Sequence, residues 1–220
     1  MKLILDTADI EQIKHLNDIL AVDGVTTNPS IIAKTGRDVK EIINDLLEVL
    51  NEDQLIFVQV VANDYEGIME EAKYIASLGK NCHPKIPVTE AGLKAIKECK
   101  KLGIGVLATA IYSAEEALLA AKNGAMCLAP YVNRMCNFGD GVQEVIDLQR
   151  MLDVYGFDTY IVAASFKNCL QVHELWKAGI EAVTVPVDVC RNLYGHPATK
   201  QAVCDFNRDW EKAYNRKTLI

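Results

Sequence analysis

The sequence has no long apolar run and no cluster of basic residues. Its 220 residues include 23 Lys and Arg against 30 Asp and Glu, giving a net charge of −7, and the two signs are mixed along the chain. We therefore expect neither a nucleic acid nor an anionic membrane as a partner. The longest apolar stretches fall well short of the ~18 residues that a membrane span needs. Asp6 and Asp9 come too early for a signal peptide.

Cysteine is present, but in no pairing or metal-binding pattern. The seven cysteines are odd in number, scattered in spacing and without a C-x-x-C motif. This pattern favours free thiols in a reducing cytoplasm over a disulfide framework or a zinc site. The four histidines form neither an H-E-x-x-H nor an H-x-H pair. We expect no metal ion and no other cofactor. The cysteines are Cys82, Cys99, Cys127, Cys136, Cys169, Cys190 and Cys204.

A regular alternation of short β-rich runs with helical patterns is the main feature that the sequence does have. Half of the residues are apolar, which is enough for a large core. After the first run, Ile10, Ile13 and Leu16 fall on one helical stripe. Ser113 and Glu116 form a capping box after the fifth run. The eight β-rich runs cover residues 2–6, 24–28, 55–60, 84–88, 105–110, 127–132, 160–165 and 182–187.

This alternation predicts an α/β fold, a (β/α)₈ TIM barrel that spans residues 1–220 as a single domain. An open doubly wound sheet is the alternative, but the glycine-rich phosphate loop typical of that fold is absent. A further helix is predicted over about 197–216, with Phe206, Trp210 and Tyr214 on one stripe. A barrel does not need this helix. We expect its aromatic stripe to pack on a neighbouring subunit rather than to cap the barrel floor.

Each β-rich run places a polar residue at or near its end. In a barrel, alternate strand residues point inward, and the C-terminal ends of the strands carry the active site. If Ile86 packs on the helices, Lys85 points inward, and the same parity on other strands predicts that their polar residues meet at one mouth. The polar residues are Asp6, Thr26 with Asn28, Gln59, Lys85, Thr109, Tyr131 with Asn133, Ser165 and Thr184.

Each of these residues also has a structural explanation when it is taken alone. A strand-end lysine more often extends into solvent than acts as a nucleophile, and Asp6 could begin a helix. Gln59 and Thr109 could satisfy barrel backbone groups. Tyr131 could be a core aromatic with its hydroxyl in water. All of these explanations would have to hold together at one depth on several strands, and that joint requirement favours a functional site.

A lysine at the centre of a barrel has a specific chemical use. Burial among apolar walls lowers a lysine pKa, and the neutral amine can then attack a carbonyl carbon. The resulting Schiff base withdraws electrons and permits a nearby carbon–carbon bond to break or form. Tyr131, Thr109 and Gln59 can move protons directly or through a held water without a metal. Lys85 is therefore predicted to be the Schiff-base lysine of a metal-independent aldolase or transaldolase.

Several motifs resemble the small transaldolase family, closest to its fructose-6-phosphate aldolase branch. The resemblance covers essentially the whole chain, and its motifs are specific in order and spacing. It implies a (β/α)₈ barrel, a class I mechanism and assembly into pentamers that pair into decamers, with the C-terminal helix reaching a neighbouring subunit. The motifs are LDTAD (5–9), GVTTNPSI (24–31), KIPVTEAGLKAIK (85–97), ATAIYS (108–113), APYVNR (129–134) and AASFK (163–167).

The resemblance also implies roles for the residues that bind the substrate. Lys85 would form the Schiff base, and Asp6 and Asn28 would bind a dihydroxyacetone unit, with Asp6 also assisting proton transfer. We place Thr26 beside Asn28 among the substrate-binding residues. Thr109 would help to hold the catalytic water.

The phosphate of a sugar phosphate would lie at a second group of residues in the family. Arg134 and Ser165 match the phosphate-binding positions. An arginine suits a phosphate because its donors form a planar fork, and Ser165 follows the seventh strand, where barrels often bind phosphate. A sulfonated or deoxy sugar remains an alternative ligand for this group.

Two positions separate the branches of this family. Transaldolases resemble one another in carrying glutamate and phenylalanine where this chain has Gln59 and Tyr131, the pair of the aldolase branch. A phenol can protonate the bound three-carbon unit, so that it leaves as dihydroxyacetone, and a phenylalanine cannot. We therefore expect cleavage of fructose 6-phosphate to dihydroxyacetone and glyceraldehyde 3-phosphate. Transfer of the dihydroxyacetone unit from sedoheptulose 7-phosphate, or a related ketose, is the alternative.

Two features depart from the family pattern. Pro84 directly precedes the lysine, where it removes a donor from an inner strand, and we expect it to face outward. The segment 135–141 beside Arg134 is short, which affects the expected acceptor and phosphate preference more than the role of Lys85. A non-catalytic barrel that binds sugar phosphates is the alternative from another functional class.

Overall fold

Eight parallel strands close into a barrel in the computed structural model, which describes residues 1–220. The strands are β1 (Lys2–Asp6), β2 (Gly24–Thr26), β3 (Leu55–Gln59), β4 (Cys82–Pro87), β5 (Leu107–Ile111), β6 (Cys127–Pro130), β7 (Tyr160–Ala163) and β8 (Ala182–Val185). Because β1 pairs with both β2 and β8, the sheet has no open edge. The prediction of a (β/α)₈ barrel is confirmed, and the doubly wound alternative is wrong because an open sheet would leave two edges unpaired.

Eleven helices accompany the strands. None of them combines the length and the apolar character that crossing a bilayer requires. They are α1 (Ile10–Ile19), α2 (Pro29–Thr35), α3 (Val39–Val49), α4 (Tyr65–Ser77), α5 (Glu90–Lys101), α6 (Ala114–Lys122), α7 (Val132–Met135), α8 (Gly141–Tyr155), α9 (Cys169–Lys177), α10 (Val187–Tyr194) and α11 (Pro197–Tyr214).

The predicted capping box at the start of α6 forms only in part. Ser113 Oγ accepts a hydrogen bond from the backbone N–H of Glu116 at 3.3 Å, as an N-cap does. The carboxylate of Glu116 accepts from the backbone N–H of Tyr112 at 2.8 Å, not from that of Ser113. This hydrogen bond still connects Tyr112, the residue that follows β5, to the first turn of α6.

Two apolar layers hold the barrel together. The larger has 46 buried residues and lies between the strands and the helices, where Ile13, Leu16 and Ile86 are fully buried. The smaller is the barrel interior. Its members on β1, β3, β5 and β6 have the parity of the strand-end polar residues, as the sequence predicts, but Val162 and Ala164 have the parity opposite to that of Ser165. Each fully buried aliphatic or aromatic side chain stabilises the fold by about 1.5–3 kcal/mol. Most of that stabilisation therefore comes from the layer between the strands and the helices. The barrel interior near the C-terminal ends of the strands can then carry polar groups. The interior members are Ile4, Phe57, Leu107, Cys127, Ala129, Val162, Ala164 and Ala182.

The last helix, α11, is 18 residues long, and none of its side chains is buried. Phe206 is 69% exposed and Tyr214 is 60% exposed. The ring of Trp210 lies 4.4 Å, centroid to centroid, from that of Tyr214. The helix ends at Tyr214 rather than near residue 216 as predicted. The aromatic stripe exists as expected, and this chain's own barrel leaves most of it open.

Candidate active site

Lys85 lies on β4 inside the barrel. It is 4% exposed, and its Nζ donates a hydrogen bond to the backbone carbonyl of Thr27 at 2.8 Å. Burial lowers the pKa of the Lys85 amine below its ordinary value, and the nearby carboxylate of Asp6 opposes this shift in part. The side chain is therefore not a solvent lysine, and its surroundings favour the neutral amine that can attack a carbonyl.

Pro84 does not interrupt the strand that carries the lysine. β3 and β4 stay in register through it, with Val58 beside Pro84 and Gln59 beside Lys85. Pairing between β4 and β5 begins only at Lys85, so Pro84 lies before the first pair on that side. β4 itself starts at Cys82, two residues earlier than predicted. Pro84 shares its parity with the helix-facing Ile86, as expected for an outward residue.

The ends of β1, β2 and β8 are joined by hydroxyl hydrogen bonds. Thr26 Oγ1 donates to Asp6 Oδ1 at 2.8 Å and lies 2.6 Å from Thr184 Oγ1. Thr26 and Thr184 are almost completely buried. Their hydroxyls hold the Asp6 carboxylate in one orientation, with one oxygen occupied by Thr26. Asp6 is thus placed as a half-buried carboxylate beside the amine of Lys85.

Asn28 has a structural role in addition to any role in binding. β2 ends at Thr26, not at Asn28 as predicted, because Asn28 is the N-cap of α2. Its Oδ1 accepts from the backbone N–H of Ile31 at 3.0 Å. The carboxamide oxygen is therefore used by the helix, and the carboxamide nitrogen is the group that a ligand could contact.

The hydroxyls of Thr109 and Tyr131 meet on the opposite side of the barrel. Their oxygen atoms lie 3.2 Å apart. The register of β5 against β6 shifts between Ala108 and Ile111, and Ala110 there has a φ of 57°. This irregularity follows Thr109 directly, at the end of the strand that presents it to Tyr131.

Gln59 supplies a free acceptor to the same interior. Its Oε1 is buried and has no hydrogen-bond partner within the protein. Buried polar atoms are nearly always paired with protein, water or ligand. Gln59 lies beside Lys85 in the register of β3 and β4, so this oxygen is available to a bound hydroxyl or water next to the amine.

Arg134 lies at the rim of the mouth, on α7. Its Nη1 donates to Tyr112 Oη at 3.0 Å, and its guanidinium carbon lies 4.6 Å from the centroid of the Tyr131 ring. The hydrogen bond to Tyr112 raises the pKa of Arg134 above its ordinary value. Because its partners are neutral rings and a neutral hydroxyl, the positive charge of Arg134 is available to an anion.

Ser165 follows β7 and has a left-handed backbone, with a φ of 63°. This conformation costs about 1–2 kcal/mol in a residue with a Cβ atom, and such residues often cluster at functional sites. The carbonyl of Ser165 accepts from the backbone N–H of Asn133 at 3.2 Å. Ser165 and Arg134 therefore lie on adjoining segments.

A large surface cleft beside Asp6 does not include Lys85. It has a volume of about 870 Å³ and runs from Asp6 outward between α1, α2 and α3. Charges of both signs line it, and Arg37 and Asp45 pair there at 2.8 Å. Because these groups largely neutralise one another, we place the chemistry at the buried amine and not in this cleft.

Comparison with known proteins agrees with this arrangement. Residues 3–218 match the family described as Transaldolase/Fructose-6-phosphate aldolase. The chain belongs to that family. The resemblance seen in the motifs is therefore confirmed, and family membership gives the chain an aldolase or transferase type of activity on sugar phosphates.

The family's curated members include full-length relatives of this chain. A protein named "Probable transaldolase" from Methanococcus maripaludis strain S2 is 40% identical over 217 residues, covering 98% of this chain and all of the relative. Proteins with the same name from strains C7 and C5 are 40% and 39% identical over the same length. A solved structure titled "Native KDPGal structure" has a TM-score of 0.57 at 19% identity, covering 83% of this chain and 80% of that one. That likeness supports the barrel fold alone.

Three groups near the site were not singled out from the sequence. The Thr27 carbonyl that accepts from Lys85 is a backbone group and leaves no signal in the side-chain pattern. Tyr112 could have been noticed as an aromatic that follows β5 inside the ATAIYS motif. Gln171 of α9 is buried and bonds to Asn133, but it lies too far from Asn133 in sequence for any spacing to suggest the contact.

Proposed function

We propose that the chain makes and breaks carbon–carbon bonds in sugar phosphates through a Schiff base at Lys85, without a metal. The observation that carries this proposal is the burial of the Lys85 amine together with its lowered pKa. A protonated imine accepts the electron pair of the breaking carbon–carbon bond, so the reaction does not need a metal ion to accept it.

The first steps place the neutral amine and a carboxylate on the substrate. Lys85 Nζ attacks the ketose carbonyl carbon, water leaves, and a protonated imine forms. Asp6 lies beside the amine and takes the proton from the hydroxyl on the β-carbon. The bond between the α- and β-carbons then breaks, its electrons enter the imine to give an enamine, and an aldehyde departs.

The fate of the enamine defines the reaction. If an acceptor aldehyde enters, the enamine attacks it and the dihydroxyacetone unit is transferred. If an acid protonates the enamine carbon and water hydrolyses the imine, dihydroxyacetone is released. The Tyr131 hydroxyl is the candidate acid, and it lies close to the hydroxyl of Thr109. Thr109 and the unpaired Gln59 Oε1 are candidates for holding the water.

The binding residues support a dihydroxyacetone unit at one end and a phosphate at the other. Asp6, Thr26 and the carboxamide nitrogen of Asn28 offer polar contacts to hydroxyl groups. Arg134 carries an unpaired positive charge at the rim, and Ser165 lies on the adjoining segment. A charged group at the rim suits a phosphate because a guanidinium can donate two parallel hydrogen bonds to it.

Transfer is the first candidate for the overall reaction. The relatives that span the whole chain at 39–40% identity are named probable transaldolases. Transfer of a dihydroxyacetone unit between a ketose phosphate and an aldose phosphate uses Lys85, Asp6 and Arg134 in the roles given above.

Release of dihydroxyacetone from fructose 6-phosphate is the second candidate. The observation that favours it is the Tyr131 hydroxyl, which lies 3.2 Å from Thr109 Oγ1 and can act as an acid on the enamine. Gln59 supports the same outcome, because an amide, unlike a carboxylate, adds no negative charge that would hold the phenol proton.

Turnover with and without an acceptor distinguishes the two candidates. The protein is supplied with fructose 6-phosphate alone, and glyceraldehyde 3-phosphate is followed by a coupled assay. The experiment is then repeated with erythrose 4-phosphate, and sedoheptulose 7-phosphate is measured. Product formed only with the acceptor supports transfer. Sustained release without it supports cleavage, and no product in either case contradicts the proposed function.

We also propose that α11 packs on a second copy of the chain in a pentamer, or in a decamer of two pentamers, in the cytoplasm. The open aromatic stripe of Phe206 and Tyr214 supports the contact, and the exposed free thiols of Cys136 and Cys204 suit a reducing compartment. Phe206→Ser is expected to shift light-scattering mass toward smaller species. A wild-type monomer would contradict the assembly.

A further inference from the structure

The two segments that carry Arg134 and Ser165 are tied together beneath the mouth of the barrel. Backbone hydrogen bonds run from Val132 N to Ala164 O at 2.9 Å and from Asn133 N to Ser165 O at 3.2 Å. These bonds align α7 with the end of β7. They do not reach the next turn of the loop, which leads from Ser165 to the start of α9.

One side chain spans that remaining distance. The amide nitrogen of Gln171 on α9 donates to Asn133 Oδ1 at 3.1 Å, and its amide oxygen accepts from the backbone N–H of Lys167 at 3.1 Å. Gln171 is 9% exposed. A single buried amide therefore bonds both to the residue before Arg134 and to the loop two residues after Ser165.

Packing alone does not account for a glutamine at this position. The other buried side chains of α9 are Val172 and Leu175, which are apolar and fully buried. A buried amide is unfavourable unless both of its ends are bonded, and an apolar side chain of similar size would fill the same volume. Both ends of Gln171 are bonded, so the residue acts as a connection between segments.

The connection lies where the backbone is least relaxed. Ser165 has a left-handed φ, a conformation that persists only when the surrounding structure holds it. Gln171 holds Lys167 on one side of Ser165, and the backbone of Asn133 holds the Ser165 carbonyl. Without the amide, the loop could relax and Ser165 would move relative to Arg134.

We propose that Gln171 is a positioning residue that sets the separation of Arg134 and Ser165, and thereby determines the preference for a phosphorylated over an unphosphorylated substrate. This inference rests on the proposed function, because it takes these two residues to be the anion-binding group. Gln171 acts through Asn133 and Lys167, and it does not itself contact substrate.

Two ligands separate the inference from the proposed function. Fructose 6-phosphate needs both the lysine and the anion-binding group, and dihydroxyacetone needs only the lysine. Each is titrated against the protein in the presence of borohydride, and the fraction of chains that carry a reduced adduct at Lys85 is measured by mass spectrometry. The half-saturating concentration of each ligand is then compared between wild type and variants.

Gln171→Met removes the hydrogen bonds to Asn133 and Lys167, and a longer one to Cys136 Sγ at 3.8 Å, at similar side-chain volume. We expect its half-saturating concentration for fructose 6-phosphate to rise about tenfold, the order expected when a buried bridging hydrogen bond is lost. The half-saturating concentration of dihydroxyacetone should stay within about twofold of wild type, because a ligand without phosphate makes no contact with the anion-binding group. Gln143→Met is the matched control, since that exposed amide donates only to Asp147 on its own helix, and neither value should change.

Asn133→Ala tests the same connection from its other end and does not depend on how Gln171→Met folds. It should raise the value for fructose 6-phosphate in the same way, and the double variant should show less than the product of the two effects. Equal shifts for both ligands, or none for fructose 6-phosphate, would overturn the positioning role while leaving the Schiff base intact. No adduct on the wild-type protein with either ligand would overturn the proposed function, and the inference with it.

Discussion

Replacing Lys85 with methionine should stabilise the protein while abolishing its chemistry. The ammonium form of Lys85 is buried at 4% exposure, and desolvation of a buried ion costs several kcal/mol. The hydrogen bond to the Thr27 carbonyl at 2.8 Å returns about 1.5–3 kcal/mol of this as a charged hydrogen bond. Asp6 loses a charged neighbour, but it is half-buried and keeps the hydrogen bond from Thr26. We expect Lys85→Met to raise the free energy of unfolding by about 2 kcal/mol, or Tm by about 4–8 °C for a chain of this length.

The gain should depend on pH in a defined direction. Because the folded-state pKa of Lys85 is lowered, the unfolded chain binds more protons than the folded one between that pKa and the ordinary value near 10.5. Wild-type stability therefore rises with pH across this window. The advantage of Lys85→Met is full below the folded-state pKa and is lost as pH approaches the ordinary value.

Urea unfolding at several pH values measures both effects. Lys97→Met is the control, because Lys97 is exposed on α5 directly after the strand that carries Lys85. It should show no pH-dependent gain. A Lys85→Met protein less stable than wild type at neutral pH, or one whose advantage grows toward high pH, would refute the claim that burial disfavours the charged amine.

Three further variants test other parts of the account. Tyr131→Phe should reduce release of free dihydroxyacetone by about 100-fold, since a general acid is lost. Transfer to erythrose 4-phosphate should be retained, and equal losses in the two assays would contradict the assigned role. Ala110→Val should destabilise the fold by about 1–3 kcal/mol in urea unfolding, because a β-branched residue is strained at the φ of 57°. Ala110→Gly should be tolerated. A Val variant as stable as wild type would show that the fold does not hold residue 110 in the left-handed conformation. Gly92→Ala should lower the urea midpoint, because its Cβ would lie 1.9 Å from the carbonyl oxygen of Pro87. Gly139→Ala is its control, since a Cβ there meets nothing within 4 Å. Equal midpoints for the two variants would contradict the close approach of α5 to β4.

The barrel was predictable because its signals are local and repeated. Each strand carries its own apolar parity, and the inward placement of Lys85 followed from the outward placement of Ile86. The capping side chains are likewise read from a few neighbouring residues. Strand ends were less predictable, since Asn28 has strand-like neighbours but caps α2, and a side-chain hydrogen bond decided between the two states.

Features that arise only when the barrel closes could not be predicted. The left-handed backbones of Ala110 and Ser165 occur in residues that do not usually adopt it, so nothing in their identity signals the conformation. The Gln171 bridge joins residues that are 38 positions apart in the chain. The set of strand-end polar residues was visible in the sequence, but the bonds that orient them were not.

The central claim is that Lys85 forms a covalent imine with a ketone, and trapping tests it most directly. Wild-type protein and Lys85→Met are each incubated with dihydroxyacetone and borohydride, digested and analysed by mass spectrometry. The account predicts one reduced dihydroxyacetone unit per wild-type chain, located on the peptide that contains Lys85, and none on the variant. A wild-type chain without an adduct would contradict the claim and favour a barrel that binds sugar phosphates without this chemistry. An adduct that persists in Lys85→Met would also contradict it, because the imine would then form on another lysine.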